Sequence, residues 1–456
     1  NGSGAAAQMA TPGYYAERGA ASIPERGGLS VLTVPGAVDA WVALHERFGR
    51  LDMARLLAPA IAAAHDGAPL ARSVARSIVE EHDLLAADAG AREVYGAVQG
   101  RVGTRLAQPA LARTLEAIAT RGRAWFYEGE GAASIDACCR RVASPLRAED
   151  FAAHRGFWTV PLCHTFAGRE SLTTAPNSQG LTLLIAQAIV ERYARDHELA
   201  DLDAAFAHAT IEATRLAYAE RDRYVGDPER TKAPVARLLS VERVAKQAAS
   251  IDPNAVEARR VAVAEKGGTT YFAAVDEDGN AASVIQSIYM HFGSTVVVPE
   301  LGVALHDRGC WFELDEGGPR SLAPGRRPFH TLIANLLRRD GEPEVVYGSM
   351  GGDGQPQIGL LLSIRMARFG ADPQAAIDAP RWRWSALAGS GYGAVAIESR
   401  AGEACVAGLR ARGHRVEPCG DWEESMGHAG VIVIDRTSGT LFGGADPRGD
   451  GAALGR

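Results

Sequence analysis

Apolar side chains recur at steps of three and four residues through most of the first 250 positions, which is the spacing of one face of an α-helix. The clearest amphipathic segments are residues 35–67, 72–85, 109–120, 180–193 and 203–218. Gly49 divides the first of these segments into two helices, and Pro234 breaks a further helical segment at 230–248. The first half of the chain is therefore predicted to be rich in helices.

The pattern changes near Val261, where strand-like runs replace the helical spacing. Pairs of these runs are separated by Asp-Gly or Ser-Gly, which favour tight hairpin turns. The predicted hairpins lie at residues 270–287, 331–347 and 430–442, and helical segments at 358–369 and 401–412 lie between the last two hairpins. Hairpins that alternate with helices indicate an α+β fold with an antiparallel sheet.

Composition excludes several classes of protein. The 456 residues carry 48 basic and 55 acidic side chains, a formal net charge of −7, which argues against a nucleic-acid binder. No apolar run approaches the roughly 18 residues that a membrane helix needs. The cysteines form no C-x-x-C pair and the histidines no H-x-x-x-H pair, so no metal site is predicted.

The beginning of the chain gives little information about location. It starts at Asn1 with a sequence that resembles the middle of a protein, and we expect residues upstream of it to be missing. No basic segment followed by an apolar segment is present at the start, as a secretory leader would require. A cytoplasmic location is favoured over a periplasmic or secreted one.

A first candidate for chemistry is the segment 266–271, which reads Lys-Gly-Gly-Thr-Thr-Tyr. A bent Gly268–Thr269 peptide would allow the threonine hydroxyl to attack the preceding carbonyl, as autoproteolysis requires. Cleavage would free the α-amino group of Thr269, which can then serve as the base for its own hydroxyl. On these residues alone, an ordinary turn before a strand remains the alternative.

A second candidate is the glycine-rich segment 347–354, Tyr-Gly-Ser-Met-Gly-Gly-Asp-Gly, which follows a strand and precedes a helix. Backbone N–H groups at such a position can bind an anion or form an oxyanion hole. Asp353 is predicted to cap the following helix. A nucleotide-phosphate loop is the alternative, although neither the Walker sequence nor the dinucleotide fingerprint fits these residues.

These segments occur in an order that resembles the gamma-glutamyltranspeptidase family of N-terminal-nucleophile hydrolases over nearly the whole chain. The motifs that carry the resemblance are Thr33–Val38, Pro176–Gly180, Tyr224–Pro228, Thr269–Tyr271, Phe292–Ser294, Gly351–Gly352, Asp378–Arg381 and Asp446–Arg448. Each motif is modest by itself, and it is their common order that makes the resemblance specific.

The resemblance implies an αββα sandwich made from a precursor that is cut before Thr269. The two parts, residues 1–268 and 269–456, would be two subunits of one intertwined domain, and a dimer of these is allowed. Thr269 would be the nucleophile, Ser287 its hydrogen-bonding partner, and the Gly351 and Gly352 N–H groups the oxyanion hole. The partner implied is a small-molecule amide substrate, with no metal or organic cofactor.

The predicted substrate pocket departs from the family. Tyr289 stands where transpeptidases carry an asparagine, and Trp311, after a cysteine, stands in place of an acidic pair that binds the substrate ammonium group. His330 and Thr331 stand where a Ser-Ser pair binds the carboxylate. Arg308 lies in the same stretch and is predicted to bind a carboxylate in a bidentate manner, with a structural salt bridge as the alternative.

We therefore predict an autoprocessing N-terminal-threonine amide hydrolase or acyltransferase. The family favours gamma-glutamyl compounds such as glutathione as substrates, whereas the pocket residues favour a small anionic amide such as oxamate or an acyl donor of the cephalosporin acylase kind. The alternative from a different class is a non-catalytic, uncleaved relative that acts as a binding module.

Overall fold

The computed structural model describes residues 1–256, 268–386 and 393–455. Its helices are α1 Pro12–Ala16, α2 Ala37–Phe48, α3 Met53–Asp66, α4 Arg72–Glu80, α5 His82–Ala87, α6 Ala89–Tyr95, α7 Pro109–Tyr127, α8 Glu130–Arg141, α9 Ala148–Ala153, α10 Gly180–Tyr193, α11 Ala204–Tyr224, α12 Val235–Leu238, α13 Val241–Ala249, α14 Gln355–Ala367, α15 Pro373–Asp378 and α16 Glu403–Ala411.

Its strands are β1 Ala68–Pro69, β2 Arg105–Leu106, β3 Leu162–Phe166, β4 Arg169–Thr173, β5 Gly268–Val275, β6 Ala281–Tyr289, β7 Val297–Val298, β8 Val303–Ala304, β9 Asn335–Arg339, β10 Glu342–Ser349, β11 Trp382–Ala386, β12 Gly393–Glu398, β13 Val416–Cys419, β14 Ala429–Asp435 and β15 Thr440–Ala445. Lys266 and Gly267 of the predicted cleavage motif, and the change of pattern near Val261, lie outside the described residues.

The mixture of helix and sheet confirms the α+β prediction. Gly49 separates α2 from α3, and α12 begins directly after Pro234. The helix predicted at 109–120 is longer than expected. Its helical course is interrupted at Gly122 (φ 67°), resumes after that residue and ends at Tyr127. The predicted helix at 72–85 is divided at Glu81, which lies outside helical geometry.

Three sequence predictions about regular structure are wrong. Helices α10 and α11 are buried on nearly every side rather than amphipathic, because they pack against each other and against further elements, α13, β3 and β4 for α10 and α14, α16 and β11 for α11. The strand predicted from Thr331 begins only at Asn335, since the backbone before it bonds to the side chains of Ser178, Gln179 and Gln355 instead of to a neighbouring strand. The β3–β4 hairpin was not predicted, because its turn places Ala167 at positive φ, where alanine is unusual.

By backbone contacts the described residues form two compact units. The first comprises residues 1–159 and 288–329, and its core includes the fully buried side chains of Tyr127, Phe151 and Leu305. The loop between β6 and β9 contributes Leu305 to this core. The segment 289–311, which contains the predicted substrate residues Tyr289, Arg308 and Trp311, is therefore anchored in the hydrophobic core of this unit.

The second unit comprises the described residues of 160–287 and 330–456. Its main sheet is antiparallel, with strand order β15-β14-β10-β9-β4-β3. Strands β5 and β6 form a separate ribbon, and β5 packs against β10 and β14 of the main sheet. Helices α10, α11 and α14 pack together in the same unit, and α14 also contacts β10. Within the described ranges, no helix combines the length and apolar character needed to cross a membrane.

Candidate active site

The predicted nucleophile and its predicted partner are hydrogen-bonded to each other. Strand β5 begins at Gly268, and the Thr269 Oγ1–H group donates to Ser287 Oγ on β6 over 2.9 Å. The Ser287 hydroxyl in turn donates to the carbonyl oxygen of Gly268 over 2.9 Å. The hydroxyl of the predicted nucleophile and the carbonyl of the predicted cleavage peptide are thus joined through one serine side chain.

Strand alternation fixes the face on which Thr269 lies. Thr269 and Tyr271 are half-buried on one side of β5, whereas Thr270 and Phe272 are exposed on the other side. The Tyr271 ring lies against Gly348 of β10 and Gly430 of β14, which are directly paired. Thr269 therefore lies on the face of β5 that packs on the main sheet.

The glycine pair forms a sharp turn directly after β10. Gly351 has φ 138° and Gly352 has φ 52°, both in the region that favours glycine. A side chain on Gly351 would place its Cβ 2.8 Å from Ile358 Cδ1. Among residues 1–256, 268–386 and 393–455, neither the Gly351 N–H nor the Gly352 N–H has a hydrogen-bond acceptor. Two adjacent unused donors next to a helix N-terminus are what an oxyanion hole requires.

The peptide units that carry these donors are held by their carbonyl groups. The Met350 carbonyl accepts a hydrogen bond from Ser349 Oγ over 2.5 Å, and the Gly351 carbonyl accepts one from the Gly354 N–H over 2.8 Å. Because a peptide unit is planar, a fixed carbonyl also fixes the direction of its N–H. The orientation of both donors is thereby determined.

A buried polar network holds the same turn from beneath. Gln179 Nε2 donates to the Gly352 carbonyl over 3.2 Å, and Arg221 Nη1 donates to Gln179 Oε1 over 3.0 Å and to Asp353 Oδ1 over 2.5 Å. The Tyr218 hydroxyl donates to the Asp353 carbonyl. Burial raises the pKa of Tyr218, so its hydroxyl remains a donor.

The prediction that Asp353 caps the following helix is wrong. Gly354 occupies the N-cap position of α14, and the Asp353 carboxylate pairs with the buried Arg221 guanidinium. Gln179 lies in the Pro176–Gly180 motif and Arg221 lies just before the Tyr224–Pro228 motif, and the sequence predicted no role for either side chain. Only the folded chain brings them to the glycine turn.

The segment at His330 and Thr331 is tied to the same network by its backbone. Gln179 Nε2 also donates to the Thr331 carbonyl over 2.9 Å, and the Gln179 N–H donates to the His330 carbonyl over 3.1 Å. His330 Nδ1 accepts the Leu332 N–H over 3.3 Å. Both side chains are buried, so their role in substrate binding stays a prediction.

The other predicted substrate residues belong to the first compact unit and contact one another there. The Arg308 guanidinium lies over the Tyr289 ring at 4.5 Å, and the Tyr289 and Trp311 rings are 5.9 Å apart. Trp311 also meets Phe329 edge to face at 4.9 Å, and the Arg320 guanidinium lies 4.4 Å from the Phe329 ring. The structure thus brings Tyr289, Arg308 and Trp311 together in an aromatic and cationic cluster.

Asp307, which directly precedes Arg308 of this cluster, is a buried acid that the sequence analysis did not single out. It is fully buried, and its Oδ1 accepts the Met290 N–H over 3.2 Å. Burial raises the pKa of Asp307 to about 7, and the nearby Arg308 and Arg26 guanidinium groups oppose that rise. Within the described part of the chain, Asp307 Oδ2 and Trp311 Nε1 are buried without a hydrogen-bond partner.

One cluster in the second unit has the residue types of a metal site. His208 and Glu212 on α11 lie beside His414, and His208 Nδ1 is 2.8 Å from His414 Nε2. Two imidazole nitrogens bound to one zinc ion at about 2.0–2.1 Å each would lie roughly 3.3 Å apart. Glu212 is paired with Arg215 at 2.5 Å, and His208 Nε2 bonds to the Asp252 carbonyl over 2.8 Å. We interpret the cluster as a hydrogen-bonded part of the core.

Two further family motifs form a buried ion network near the turn. Arg381 pairs with Asp446 at 2.6 Å, and Arg448 pairs with Glu398 at 2.5 Å. Arg381 Nη1 also donates to the Gly427 carbonyl over 3.0 Å. Gly427 lies against Gly351, so these charged motifs support the backbone beside the glycine pair.

Comparisons with known proteins agree with this geometry. The profile of the gamma-glutamyltranspeptidase family matches residues 1–456. The chain is 38% identical to the glutathione hydrolase-like YwrD proenzyme of Bacillus subtilis, over 100% of this chain and 86% of that protein. It is 39% identical to the oxamate amidohydrolase proenzyme of Klebsiella pneumoniae subsp. pneumoniae, over 99% of this chain and 86% of that protein.

Among solved structures, the chain is similar to a cephalosporin acylase from Bacillus halodurans. The TM-score is 0.89 at 33% sequence identity, and the match covers 100% of this chain and 84% of the acylase. The match therefore includes strand β5, the glycine turn and residues 289–311.

Proposed function

The chain belongs to the gamma-glutamyltranspeptidase family, and we propose that it is an amide hydrolase that cuts itself between Gly268 and Thr269 and then uses Thr269 as its nucleophile. The single observation that carries this proposal is the hydrogen-bond chain from Thr269 Oγ1 through Ser287 Oγ to the Gly268 carbonyl. The αββα arrangement is part of the same proposal, with the β5–β6 ribbon and the main sheet as its two inner layers.

The first step is self-cleavage. Thr269 Oγ1 attacks the Gly268 carbonyl carbon, and the Ser287 hydroxyl stabilises the negative charge that develops on the carbonyl oxygen. The carbon–nitrogen bond breaks, the hydroxyl proton ends on the nitrogen of Thr269, and an ester joins Gly268 to Oγ1. Water then hydrolyses that ester, which leaves a Gly268 carboxylate and a Thr269 with a free amine and a free hydroxyl.

The second step is turnover of a substrate. The new α-amino group takes the proton of the Thr269 hydroxyl, and Oγ1 attacks the substrate amide carbonyl. The N–H groups of Gly351 and Gly352 are free to bind the resulting oxyanion. The amine leaves with a proton, and water releases the acyl group from Oγ1, so the enzyme returns to its starting state.

For the substrate we favour a small amide that carries a carboxylate. The family's acidic pair for a substrate ammonium group is replaced by Cys310 and Trp311, and an unpaired ammonium at a buried site is costly. Arg308 and the Trp311 Nε1–H group instead offer donors for an anion. Of the relatives compared, one is named for oxamate and one for cephalosporin acylation, which supports this choice. A gamma-glutamyl substrate is the second candidate, on the name of the YwrD relative.

Intact mass spectrometry of the purified chain tests the proposal. After incubation at neutral pH, the wild type is expected to give two fragments that meet at Gly268/Thr269, and Thr269→Ala is expected to stay uncut. The cut protein is then assayed with oxamate, glutathione and a glutaryl amide. A single uncut mass for both proteins would reject the enzyme reading and favour the non-catalytic binding module.

A further inference from the structure

We propose that Gln179 is a positioning residue that holds the oxyanion hole for substrate turnover but is not needed for self-cleavage. The proposal rests on the function proposed above, since it assigns the Gly351–Gly352 turn to turnover. Gln179 opens helix α10 and is fully buried, and no property of the side chain alone marks it for chemistry.

The orientation of the Gln179 amide is fixed by its neighbours. Arg221 has only donors, and its contact over 3.0 Å identifies the Gln179 atom facing it as the oxygen. The NH₂ group must then point the other way, where it meets the carbonyls of Thr331 at 2.9 Å and Gly352 at 3.2 Å. Arg221 is itself held by Asp353, so an amide that turned over would place its NH₂ group against a fixed guanidinium donor.

The contact with the Gly352 carbonyl matters because glycine has no side chain of its own to restrain the turn. Gly352 at φ 52° is free to rotate unless its peptide units are held from outside. The Gly354 N–H holds the Gly351–Gly352 peptide unit, whereas Gln179 and the Gln355 N–H hold the next unit through the Gly352 carbonyl. Loss of the Gln179 donor therefore leaves that second unit with a single hydrogen bond, so the turn that carries the Gly352 N–H is held less firmly.

Self-cleavage uses a different donor. In the uncut chain the Gly268 carbonyl accepts its hydrogen bond from Ser287 Oγ, while the Gly351 and Gly352 N–H groups have no acceptor in the described ranges. The two reactions of one nucleophile thus depend on two separate sets of donors. A residue that acts only through the glycine turn should affect turnover and spare cutting, whereas a residue needed for the fold should affect both.

The test uses Gln179→Met, which keeps the size of the side chain and removes both N–H donors together with the oxygen that accepts from Arg221. Cutting is followed by intact mass spectrometry, and turnover of the fully cut protein is followed with 4-nitrophenyl acetate, a small acyl donor that needs no side-chain pocket. We expect cutting within about twofold of the wild type and kcat lowered by roughly ten- to hundredfold, because small misplacement of a catalytic group has effects of this size. KM should change far less than kcat.

Gln187→Met is the matched control. Gln187 lies on the same helix, is equally buried, and donates to Ser363 Oγ over 3.0 Å, away from the turn. It should leave both rates unchanged. Equal slowing of cutting and turnover in Gln179→Met, or no slowing of turnover, would overturn the proposal. Wild-type protein that cuts itself but does not differ from Thr269→Ala on the ester would overturn the proposed function instead.

Discussion

Replacement of Ser287 by alanine is the most informative change to the self-cleavage step. The serine hydroxyl makes two hydrogen bonds of 2.9 Å each, one from Thr269 Oγ1 and one to the Gly268 carbonyl. Ser287→Ala removes the donor at the oxygen on which charge develops and leaves the attacking hydroxyl without its acceptor. We therefore expect the variant to fold and to remain largely uncut.

The two consequences of this substitution differ in size. A neutral hydrogen bond contributes about 0.5–1.5 kcal/mol to stability, so the fold should lose at most a few kcal/mol. The loss of one oxyanion donor typically slows a reaction by about 10²–10³-fold, or about 2.7–4 kcal/mol of transition-state stabilisation. Slow cutting should therefore accompany a nearly normal melting temperature.

The assay is the uncut fraction against time, measured by intact mass spectrometry, together with a thermal melt. Ser287→Thr keeps the hydroxyl and should cut at close to the wild-type rate. Ser283→Ala on the same strand removes a hydroxyl that contacts Tyr271 at 3.0 Å and should leave the rate unchanged. Cutting of Ser287→Ala at the wild-type rate would refute the role assigned to this hydrogen-bond chain.

Three further predictions concern turnover, substrate and pH. Gly351→Ala should cut normally and lose at least tenfold in kcat, because its Cβ would lie 2.8 Å from Ile358 Cδ1 and φ 138° disfavours a side chain; turnover assays of the cut protein check this. Arg308→Leu should raise KM for oxamate by roughly tenfold or more, and an unchanged KM would rule out carboxylate binding there. Burial raises the pKa of Asp307 from 3.8 to about 7, so the folded state binds a proton that the unfolded state has lost. The free energy of unfolding of the wild type minus that of Asp307→Asn, measured by denaturant titration, should therefore decrease between about pH 4 and 7 and level off above that range.

The sequence predicted those features that depend on neighbouring residues. Helical spacing, the breaks at Gly49 and Pro234, and the Asp-Gly and Ser-Gly hairpins are set within a few positions of the chain, and the structure agrees with them. The late start of β9 and the all-round burial of α10 and α11 depend on distant partners. No local pattern encodes these partners, so the predictions for these three elements were wrong.

The candidate site also combines features that neighbouring residues determine with features that distant residues determine. The Gly268–Thr269 junction and the glycine pair stand out in the sequence because their residue types are adjacent. A hydroxyl residue follows glycine at the junction, and two consecutive glycines allow backbone conformations that other residues rarely adopt. Gln179 and Gly352 are 173 positions apart, and Arg221 and Asp353 are 132 positions apart. Their contacts arise only when α10 and α11 pack beside α14. A buried glutamine and a buried arginine in a helical sequence carry no sign of the turn that they hold.

The physical requirement of the glycine turn explains why so many charged residues are buried around it. Glycine reaches positive φ at little steric cost, but it loses more freedom on ordering than any other residue. A turn of two glycines therefore needs restraint from groups outside it. Arg221 with Asp353 supplies that restraint through Gln179, and Arg381 with Asp446 supplies it through the backbone at Gly427. Because a buried ion pair is costly to break, such pairs resist movement of the backbone that they hold. The charged family motifs at 378–381 and 446–448 therefore have a structural role. They hold the backbone beside the two glycine N–H groups and need no part in a chemical step.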